Sequence, residues 1–445
     1  MTYAKLFTFI NTAVLFSLTT IAAPQKFEAQ LAGHAILPAQ TFIATPKEAG
    51  EHFNLSGKFT QPGKRLDTPY SQSAKSGQFR QTNLKLPFEN QAVQGHSGIK
   101  VMPDGTVWLL TDNGFGTKKN SADSALFINQ YRINWEKGNL ERLRTVFLQD
   151  PHKIVPFPIQ NENTAARYLT GADFDPESIQ IHNDHFWIGE EFGPYLLEAD
   201  QTGNIVAIYD TLLDSHPLRS PDNPALTLPS SPDKPLPDFQ VKRSKGFEGM
   251  AKYGSTLYPM LEGALWDNEK QQYENVKGKH YLRILEFDFD RKAYTGKSWQ
   301  YPLESNLHAI GDFNMINAQY GLVIERDNLE GTTAYPCQSD DKTHCFDQPA
   351  KFKRIYKIRL ADNGIAEKIA YIDLMDIADP NKIARNPLVN GRFVFPFFTI
   401  ENVDIVDENH IIVGNDNNLP FSASREPNTV DDNELILLNV GEFLK

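Results

Sequence analysis

One hairpin pattern recurs five times along the chain and limits the folds that the chain can adopt. Each copy has a small or acidic residue, a short strand-like run, a turn, an apolar run, and then an acidic or amide residue. The copies begin near residues 97, 177, 248, 312 and 402. Divergent repeats of a multi-strand unit are typical of a propeller or a solenoid.

The copy "GFEGMAKYGSTLYPMLEGAL" shows the pattern clearly, since Glu248 precedes its first apolar run and Glu262 follows its second. The hairpins are followed by further strand-like runs such as "YLRILEFDFDRKAY" and "KIAYIDLMD". Runs rich in Val, Ile, Phe, Tyr and Trp alternate with Gly, Asn, Asp and Pro, and helical periodicity is poor. We therefore predict an all-β chain folded as a single β-propeller with four antiparallel strands in each blade.

The number of blades depends on the N-terminal part of the chain. Five units can be read directly, and a sixth is expected from "HAILPAQTFIA" and neighbouring strands, with the two chain ends sharing a blade. We therefore predict six blades. Residues 23–445 are assigned to this propeller, because no segment has the composition of an independent second domain.

The chain opens with the features of an export signal. Lys5 is followed by an apolar run and by the small residues Ala22 and Ala23, which predicts a cleavable signal peptide over residues 1–22. No later stretch is long and apolar enough to span a bilayer. We expect a periplasmic or secreted protein without a stable membrane anchor.

Two cysteines, Cys337 and Cys345, lie in the polar segment "CQSDDKTHC". In an exported protein such a pair favours a disulfide. The alternative is a zinc site that also uses His344 and the Asp residues, but a structural zinc needs four ligands and the spacing fits no usual zinc pattern.

The formal net charge of −12 argues against nucleic acid as a partner, because binding to phosphates requires a basic surface. One interpretation of the excess of acidic residues is that they keep the protein soluble. The other is that some of them hold bound cations. We expect a monomer whose partner is a small molecule.

Acidic residues recur at equivalent places of the hairpins. The inner strands of a propeller converge on a central channel, so equivalent positions should meet around its axis. The strand starts carry one set, namely Glu177, Glu248, Asp312, Asn402 and Asp404, and the strand ends carry another, namely Asp112, Glu190, Glu191, Glu262, Glu325 and Asp416.

Clustered carboxylates repel one another unless a cation neutralises them. Ca²⁺ takes six to eight oxygen ligands, and the absence of His and Cys from these positions favours Ca²⁺ over zinc or copper. Two alternatives remain: the acids are solvated strand ends, or one ring pairs with basic residues such as Arg326, next to Glu325.

Several longer blocks carry a family resemblance. The segments "GADFDPESI", "FWIGEEFGPYLLEAD", "GFEGMA", "TDNGFG" and "ENVDIV…IIVGNDNNLPFS" resemble the phytase-like family, described as having esterase-like activity of phytase. The resemblance runs from about Gly33 to the C-terminus. This family is similar in architecture to β-propeller phytases, which use channel-bound Ca²⁺ to bind phosphate and activate water. The resemblance implies that Asp175 and Glu177 form one functional block and that Glu248 belongs to another.

The resemblance predicts a Ca²⁺-dependent hydrolase of a phosphoester or carboxylic ester. Glu177, Glu191 and Glu248 are the candidate catalytic residues, and Lys118 and Arg326 are the candidate substrate contacts. Clustered bases are sparse near the repeats, which weakens inositol phosphate as the substrate. The alternative is a non-catalytic or lactonase-like propeller that binds a small ligand and holds structural Ca²⁺. The chain lacks G-x-S-x-G, H-E-x-x-H and Walker motifs.

Overall fold

The computed structural model describes residues 23–71 and 79–445, so the predicted signal peptide lies outside the described residues. This part of the chain is built from β-strands and contains no α-helix. Its longer strands form five antiparallel sheets of four strands each. The prediction of an all-β propeller with four-stranded blades is confirmed.

The five sheets follow one another along the chain, and in each the strands run from the channel outwards. Blade 1 consists of His96–Val101, Thr106–Thr111, Phe127–Asn134 and Asn139–Phe147. Blade 2 consists of Pro176–His182, His185–Glu190, Tyr195–Ala199 and Ile205–Asp210. Blade 3 consists of Phe247–Tyr253, Thr256–Leu261, Lys279–Asp288 and Ala293–Pro302. Blade 4 consists of Ala309–Met315, Tyr320–Arg326, Lys353–Leu360 and Ala366–Ala378. Blade 5 consists of Thr399–Ile405, His410–Asp416, Asn433–Asn439 and, from the N-terminus, Gln25–Leu37.

The hydrophobic core is divided among the junctions between blades. The inner strands contact one another in the order 1, 2, 3, 4, 5 and back to 1, which closes the ring. One cluster of buried apolar side chains fills each junction, as where Trp108 and Leu110 of blade 1 pack with Ile188 of blade 2. Burial of apolar surface between the faces of neighbouring sheets is therefore what holds the blades together.

The predicted sixth blade is not confirmed. The N-terminal strand pairs through Gln30–Leu37 with the third strand of blade 5, and through Gln25–Gln30 with the outer strand of blade 4. The described residues between Leu37 and blade 1 form only strands of two or three residues, such as Phe42–Ile43, which pairs with Gln91–Ala92. The two chain ends thus share a blade, as expected, but this blade is the fifth, because the described residues between Leu37 and blade 1 hold too little paired backbone for another four-stranded sheet.

The other elements of the described residues are short. The minor strands are Phe42–Ile43, Leu55–Ser56, Phe59–Gln61, Lys64–Arg65, Phe88–Glu89, Gln91–Ala92, Leu212–Leu213, His216–Pro217, Trp266–Asp267, Gln272–Tyr273 and Asn275–Val276. Four 3₁₀ turns span Lys47–Ala49, Glu51–Asn54, Lys118–Asn120 and Gly441–Phe443. The segment between the N-terminal strand and blade 1 packs through Leu86 and Phe88 against Phe115 and Leu419, which follow the second strands of blades 1 and 5.

The predicted disulfide is present between Cys337 and Cys345, whose Cα atoms lie 5.1 Å apart. It closes a loop between the second and third strands of blade 4. Within the described residues, no helix has the length and apolar character needed to cross a membrane.

Candidate metal and active site

A cavity of about 680 Å³ opens where the five inner hairpins converge. Every blade contributes to it through the start of its first strand, the end of its second strand, or both. Eight carboxylates line the cavity: Asp112, Asp175, Glu177, Glu191, Glu248, Glu262, Glu401 and Asp416. Three Lys or Arg side chains, Lys242, Lys245 and Arg326, line it as well, so carboxylates outnumber these cations.

A β-bulge at the start of each inner hairpin sets which residues reach this cavity. In blade 3, Phe247 pairs with Leu261 and Gly249 pairs with Met260, which leaves Glu248 as the extra residue. The same irregularity occurs at the same place in all five blades. Bulges redirect a side chain out of the regular alternation of a strand.

The residues at the bulge form the first layer of the site. Going round the ring from blade 1 to blade 5, they are Ser97, Glu177, Glu248, Gly311 and Glu401. Three blades therefore offer a glutamate, and the Ser97 hydroxyl donates a 2.9 Å hydrogen bond to Glu401 Oε2. Blade 4 offers no side chain, because a Cβ on Gly311 would lie 1.9 Å from the carbonyl oxygen of Ile400.

The second layer lies at the ends of the second strands, where each member directly follows the residue that pairs with the position before the bulge. These residues, again from blade 1 to blade 5, are Asp112, Glu191, Glu262, Arg326 and Asp416. All five line the cavity. Blade 4 therefore differs in both layers, since it supplies a glycine to the first and an arginine to the second.

Two groups of three carboxylates could each hold a metal ion. The first triad is Asp175, Glu177 and Glu191, and the second triad is Glu191, Glu248 and Glu262; within each, one oxygen per residue lies within 4.8 Å of the others. Asp175 Oδ1, Glu191 Oε1 and Glu248 Oε1 are buried without a hydrogen-bond partner. Because a buried polar atom without a partner is costly, these oxygens are suited to accept a ligand.

Two of the basic residues of the cavity form ion pairs with its carboxylates. Lys245 forms an ion pair with Glu262, and Arg326 Nη2 lies 3.1 Å from Glu401 Oε1 and 3.9 Å from Glu262 Oε1. Within the described residues, ion pairs of the cavity carboxylates are confined to Glu262 and Glu401. Asp175 and Glu177 of the first triad therefore have no ion-pair partner, and Lys245 acts on the third member, Glu191, only through its charge.

Burial and mutual repulsion raise the pKa values of several of the cavity acids. Burial raises the pKa of Glu177 well above its usual value, and the nearby carboxylates of Asp175 and Glu248 raise it further. Burial likewise raises the pKa of Glu191 and Glu248, and it raises the pKa of Asp112 to about 7. The site thus favours neutralisation of its acids by protons or by a bound cation.

For Lys245 and Arg326, the neighbouring carboxylates outweigh the effect of burial on the pKa. Burial alone would lower the pKa of Lys245, but the carboxylates of Glu262, Glu191 and Glu248 raise it above its usual value. Arg326 behaves in the same way, because Glu401 and Glu262 outweigh the effect of its burial on its pKa. Both side chains are therefore held as cations by the acids that surround them.

Two predicted strand-end ligands point away from the cavity. Glu190 accepts hydrogen bonds from the backbone N–H groups of Phe192, Gly193 and Tyr195. Glu325 is engaged inside blade 4, where Lys368 Nζ lies 2.6 Å from its Oε2 and His308 lies 2.8 Å from its Oε1. Burial alone would raise the pKa of Glu325, but His308 and Lys368 hold it below its usual range. Side chains alternate along a strand, so the residue one position later faces the channel instead.

Three predicted strand-start ligands also make contacts outside the cavity, since Asp312 and Asn402 lie one position past the bulge and Asp404 lies three positions past it. Asp312 Oδ2 accepts a 2.9 Å hydrogen bond from the backbone N–H of Val403, and Asp404 forms a 2.7 Å ion pair with Lys100. The side-chain amide of Asn402 donates to the carbonyl oxygen of His96. These residues join blades 4, 5 and 1 outside the cavity lining.

The two predicted substrate contacts have different positions. Arg326 lines the cavity. Lys118 is outside the cavity lining and lies 5.7 Å from the ring centre of Phe157. Glu401 and Lys245 were not predicted from the sequence. Glu401 could have been found by aligning the apolar position two residues after the bulge in each copy.

The fold is distantly similar to solved structures of other proteins. An aldose sugar dehydrogenase from Streptomyces coelicolor in its PQQ-bound form matches with a TM-score of 0.30 and 13% identity, over 92% of this chain and 99% of that one. A periplasmic gluconolactonase from Pseudomonas aeruginosa matches with a TM-score of 0.30 and 11% identity, over 87% and 98% of the two chains. No protein with a curated description matches the sequence.

A family model gives a more specific result. The model described as phytase-like, with esterase-like activity of phytase, matches residues 91–419. This range holds all eight carboxylates of the cavity and the inner hairpins of all five blades. The chain belongs to the phytase-like family.

Proposed function

We propose that this chain is an exported, Ca²⁺-dependent hydrolase that cleaves a phosphoester or carboxylic ester of a small molecule in its central cavity. The observation that carries the proposal is the convergence of eight carboxylates on one cavity, with three of their buried oxygens lacking hydrogen-bond partners. Membership of the phytase-like family supports the reaction class. The fold alone would not, because one fold hosts many functions.

The first triad fits Ca²⁺ in its chemistry. Asp175, Glu177 and Glu191 supply only oxygen donors, and neither nitrogen nor sulfur ligands belong to the group. Hard cations prefer such donors, and Ca²⁺ tolerates the irregular geometry that a propeller channel imposes. Asp175 and Glu177 form no ion pair with a basic side chain of the described residues, which leaves their charge for the ion to neutralise. We therefore assign these three residues as the protein ligands.

The remaining residues of the cavity suit the tasks of ester hydrolysis. A bound divalent cation supplies Lewis acidity toward an ester or phosphoester oxygen. Glu248, whose Oε1 has no partner, accepts the proton of the attacking water as general base. Arg326, whose buried Nε also has no partner, donates to an oxygen of the substrate and fixes its orientation. The cavity volume of about 680 Å³ accommodates a small-molecule ester.

Two properties of the chain support an exported protein that acts on small molecules, and we propose that it does so as a monomer. The disulfide between Cys337 and Cys345 is a bond that persists in oxidising compartments. The net charge of −12 disfavours nucleic acid as a partner.

Calorimetric titration with Ca²⁺ and a panel of phosphomonoesters, aryl esters and lactones test the proposal. We expect Ca²⁺ binding, turnover of one ester class that EDTA abolishes, and recovery of that turnover when Ca²⁺ is restored. Glu177→Gln should weaken Ca²⁺ binding at least tenfold, since it removes one charge from the triad. Glu141→Gln, on the outer strand of blade 1, is the matched control and should change neither. Ca²⁺ binding without turnover of any ester would overturn the catalytic proposal and leave a structural ion site.

A further inference from the structure

The two carboxylate triads share Glu191 but differ in what surrounds them. We propose that the ammonium group of Lys245 occupies the second triad as a built-in cation, so that the site takes one divalent ion rather than two. The proposal rests on the proposed function, because it assigns the first triad to the ion. In this proposal the second triad, Glu191, Glu248 and Glu262, is a potential metal site that Lys245 fills.

The contacts of Glu262 support this assignment. Lys245 Nζ forms an ion pair with Glu262 Oε2, and Arg326 Nη2 lies 3.9 Å from Glu262 Oε1. Both oxygens of this carboxylate therefore face a basic side chain. A divalent ion bound through Glu262 would have to displace at least one of these contacts, whereas Asp175 and Glu177 form no ion pair with a basic side chain of the described residues.

The backbone holds Lys245 at this place. The carbonyl oxygen of Gly246 accepts a 2.8 Å hydrogen bond from the N–H of Glu262, and the carbonyl oxygen of Lys245 accepts one from Gly263. A Cβ on Gly246 would lie 2.5 Å from Glu191 Cα, and one on Gly263 would lie 2.8 Å from Lys245 Cβ. Two glycines thus let the backbone next to Lys245 pack closely against Glu191 and against the segment that carries Glu262.

The second triad is too small to hold an ammonium group and a divalent ion at the same time. The ligand oxygens of Glu191, Glu248 and Glu262 lie within 4.8 Å of one another, which is the space that a single ion requires. An ammonium group and a divalent ion inside that space would repel each other strongly in a buried site. Removal of the ammonium group leaves three close carboxylates with only Arg326 beside them, and such a group attracts a second divalent ion.

Counting the Ca²⁺ ions bound per chain tests the inference directly. Equilibrium dialysis against Ca²⁺ followed by elemental analysis should give one ion for the wild-type protein and two for Lys245→Met. Lys245→Arg keeps the charge and should give one. Lys242→Met removes the other lysine of the cavity lining, which is exposed, and should also give one. The double variant Lys245→Met with Glu262→Gln should return to one, because the second triad then loses a ligand.

The outcomes separate this inference from the proposed function. One ion in both the wild-type protein and a folded Lys245→Met variant overturns the role of Lys245 and leaves the Ca²⁺ site standing. Two ions in the wild-type protein also overturn it. No bound Ca²⁺ in the wild-type protein overturns both proposals. Circular dichroism of each variant shows whether it is folded, and Lys245→Gln replaces Lys245→Met if the latter is not.

Discussion

The guanidinium Nη2 of Arg326 lies 3.1 Å from Oε1 of Glu401, and both side chains are buried. This contact joins the second layer of blade 4 to the first layer of blade 5. Blade 4 is the blade whose two cavity positions carry no acid, since they hold Gly311 and Arg326. Arg326 is therefore a counter-ion within the ring of carboxylates, at the blade that supplies no acid to either layer.

Replacing Arg326 should destabilise the protein through the charge that it leaves behind. We expect Arg326→Met to lower the free energy of unfolding by about 3 kcal/mol, because Glu401 then stays buried without its partner. Adding Glu401→Gln should recover part of this loss. Urea unfolding in EDTA measures the free energy of unfolding of the wild-type protein, of Arg326→Met and of the double variant. Arg132→Met, in a pair with Glu141 whose side chains are both exposed, should cost less than about 1 kcal/mol; an equal loss in the two single variants would contradict the explanation.

Gly311 is required by the packing of blade 4 against blade 5. A Cβ at this position would lie 1.9 Å from the carbonyl oxygen of Ile400, and backbone atoms cannot move aside as a flexible side chain can. We expect Gly311→Ala to cost about 3 kcal/mol in the free energy of unfolding. Gly254→Ala is the control: its φ is +57° but nothing lies within 4 Å, so the cost should be about 1 kcal/mol. Thermal and urea unfolding of both variants compare them, and a milder effect at Gly311 would show that the junction adjusts.

The repeat in the sequence was sufficient to predict the propeller but not the number of its blades. Alternating apolar runs and turn residues identify each hairpin, because the pattern is local. The place of the N-terminal strand is not local, since Gln30–Leu37 pairs with residues about 400 positions further along the chain. A sequence pattern cannot tell whether such a strand opens a new sheet or completes an existing one.

The cavity residues of blades 2 and 3 were predicted from the sequence, because these two hairpins align with each other without a gap. Glu177, Glu248, Glu191 and Glu262 lie in the cavity, as expected from their places in the pattern. The first layer was misplaced by one position in blades 4 and 5, where Asp312 and Asn402 were chosen instead of Gly311 and Glu401. A one-residue shift moves a side chain to the other face of a strand, and the bulge that fixes the register has no clear sequence mark. Lys245 lies before the first strand of blade 3, so no repeat pointed to it.

Asp431 should give the protein a measurable pH dependence away from the cavity. Its carboxylate accepts hydrogen bonds from the backbone and side chain of Ser424, and burial raises its pKa from 3.8 to about 7. Between these values the folded state binds more protons than the unfolded state, so the contribution of Asp431 to stability falls as pH rises.

The comparison of wild-type protein with Asp431→Asn isolates this contribution. From pH 4 to pH 7 the stability of the wild-type protein should fall relative to that of the variant, with a limiting slope of about 1.4 kcal/mol per pH unit. Chemical unfolding in EDTA at each pH measures the difference while the metal site stays empty in both proteins. A difference that is constant over this range would show that Asp431 is ionised in the folded state.

Glu248 is the residue on which the hydrolase proposal depends most directly. In the wild-type protein its Oε1 has no hydrogen-bond partner, while Lys245 and Arg326 occupy the neighbouring acids Glu262 and Glu401. As general base, Glu248 removes a proton that an amide cannot remove. We therefore expect Glu248→Gln to lower kcat by about 10²- to 10⁴-fold on the ester that the wild-type protein hydrolyses.

Binding of Ca²⁺ separates this role from that of a metal ligand. Since Glu248 lies outside the first triad, the Ca²⁺ affinity of Glu248→Gln should stay within about threefold of the wild-type value, whereas Glu177→Gln loses affinity and turnover together. Calorimetry and steady-state kinetics on the same samples measure both quantities, with Glu141→Gln as the control for the chemical change. A large loss of Ca²⁺ affinity in Glu248→Gln would make Glu248 a ligand. Unchanged turnover would remove it from the reaction and leave the cavity as a site that binds Ca²⁺ without using this carboxylate for chemistry.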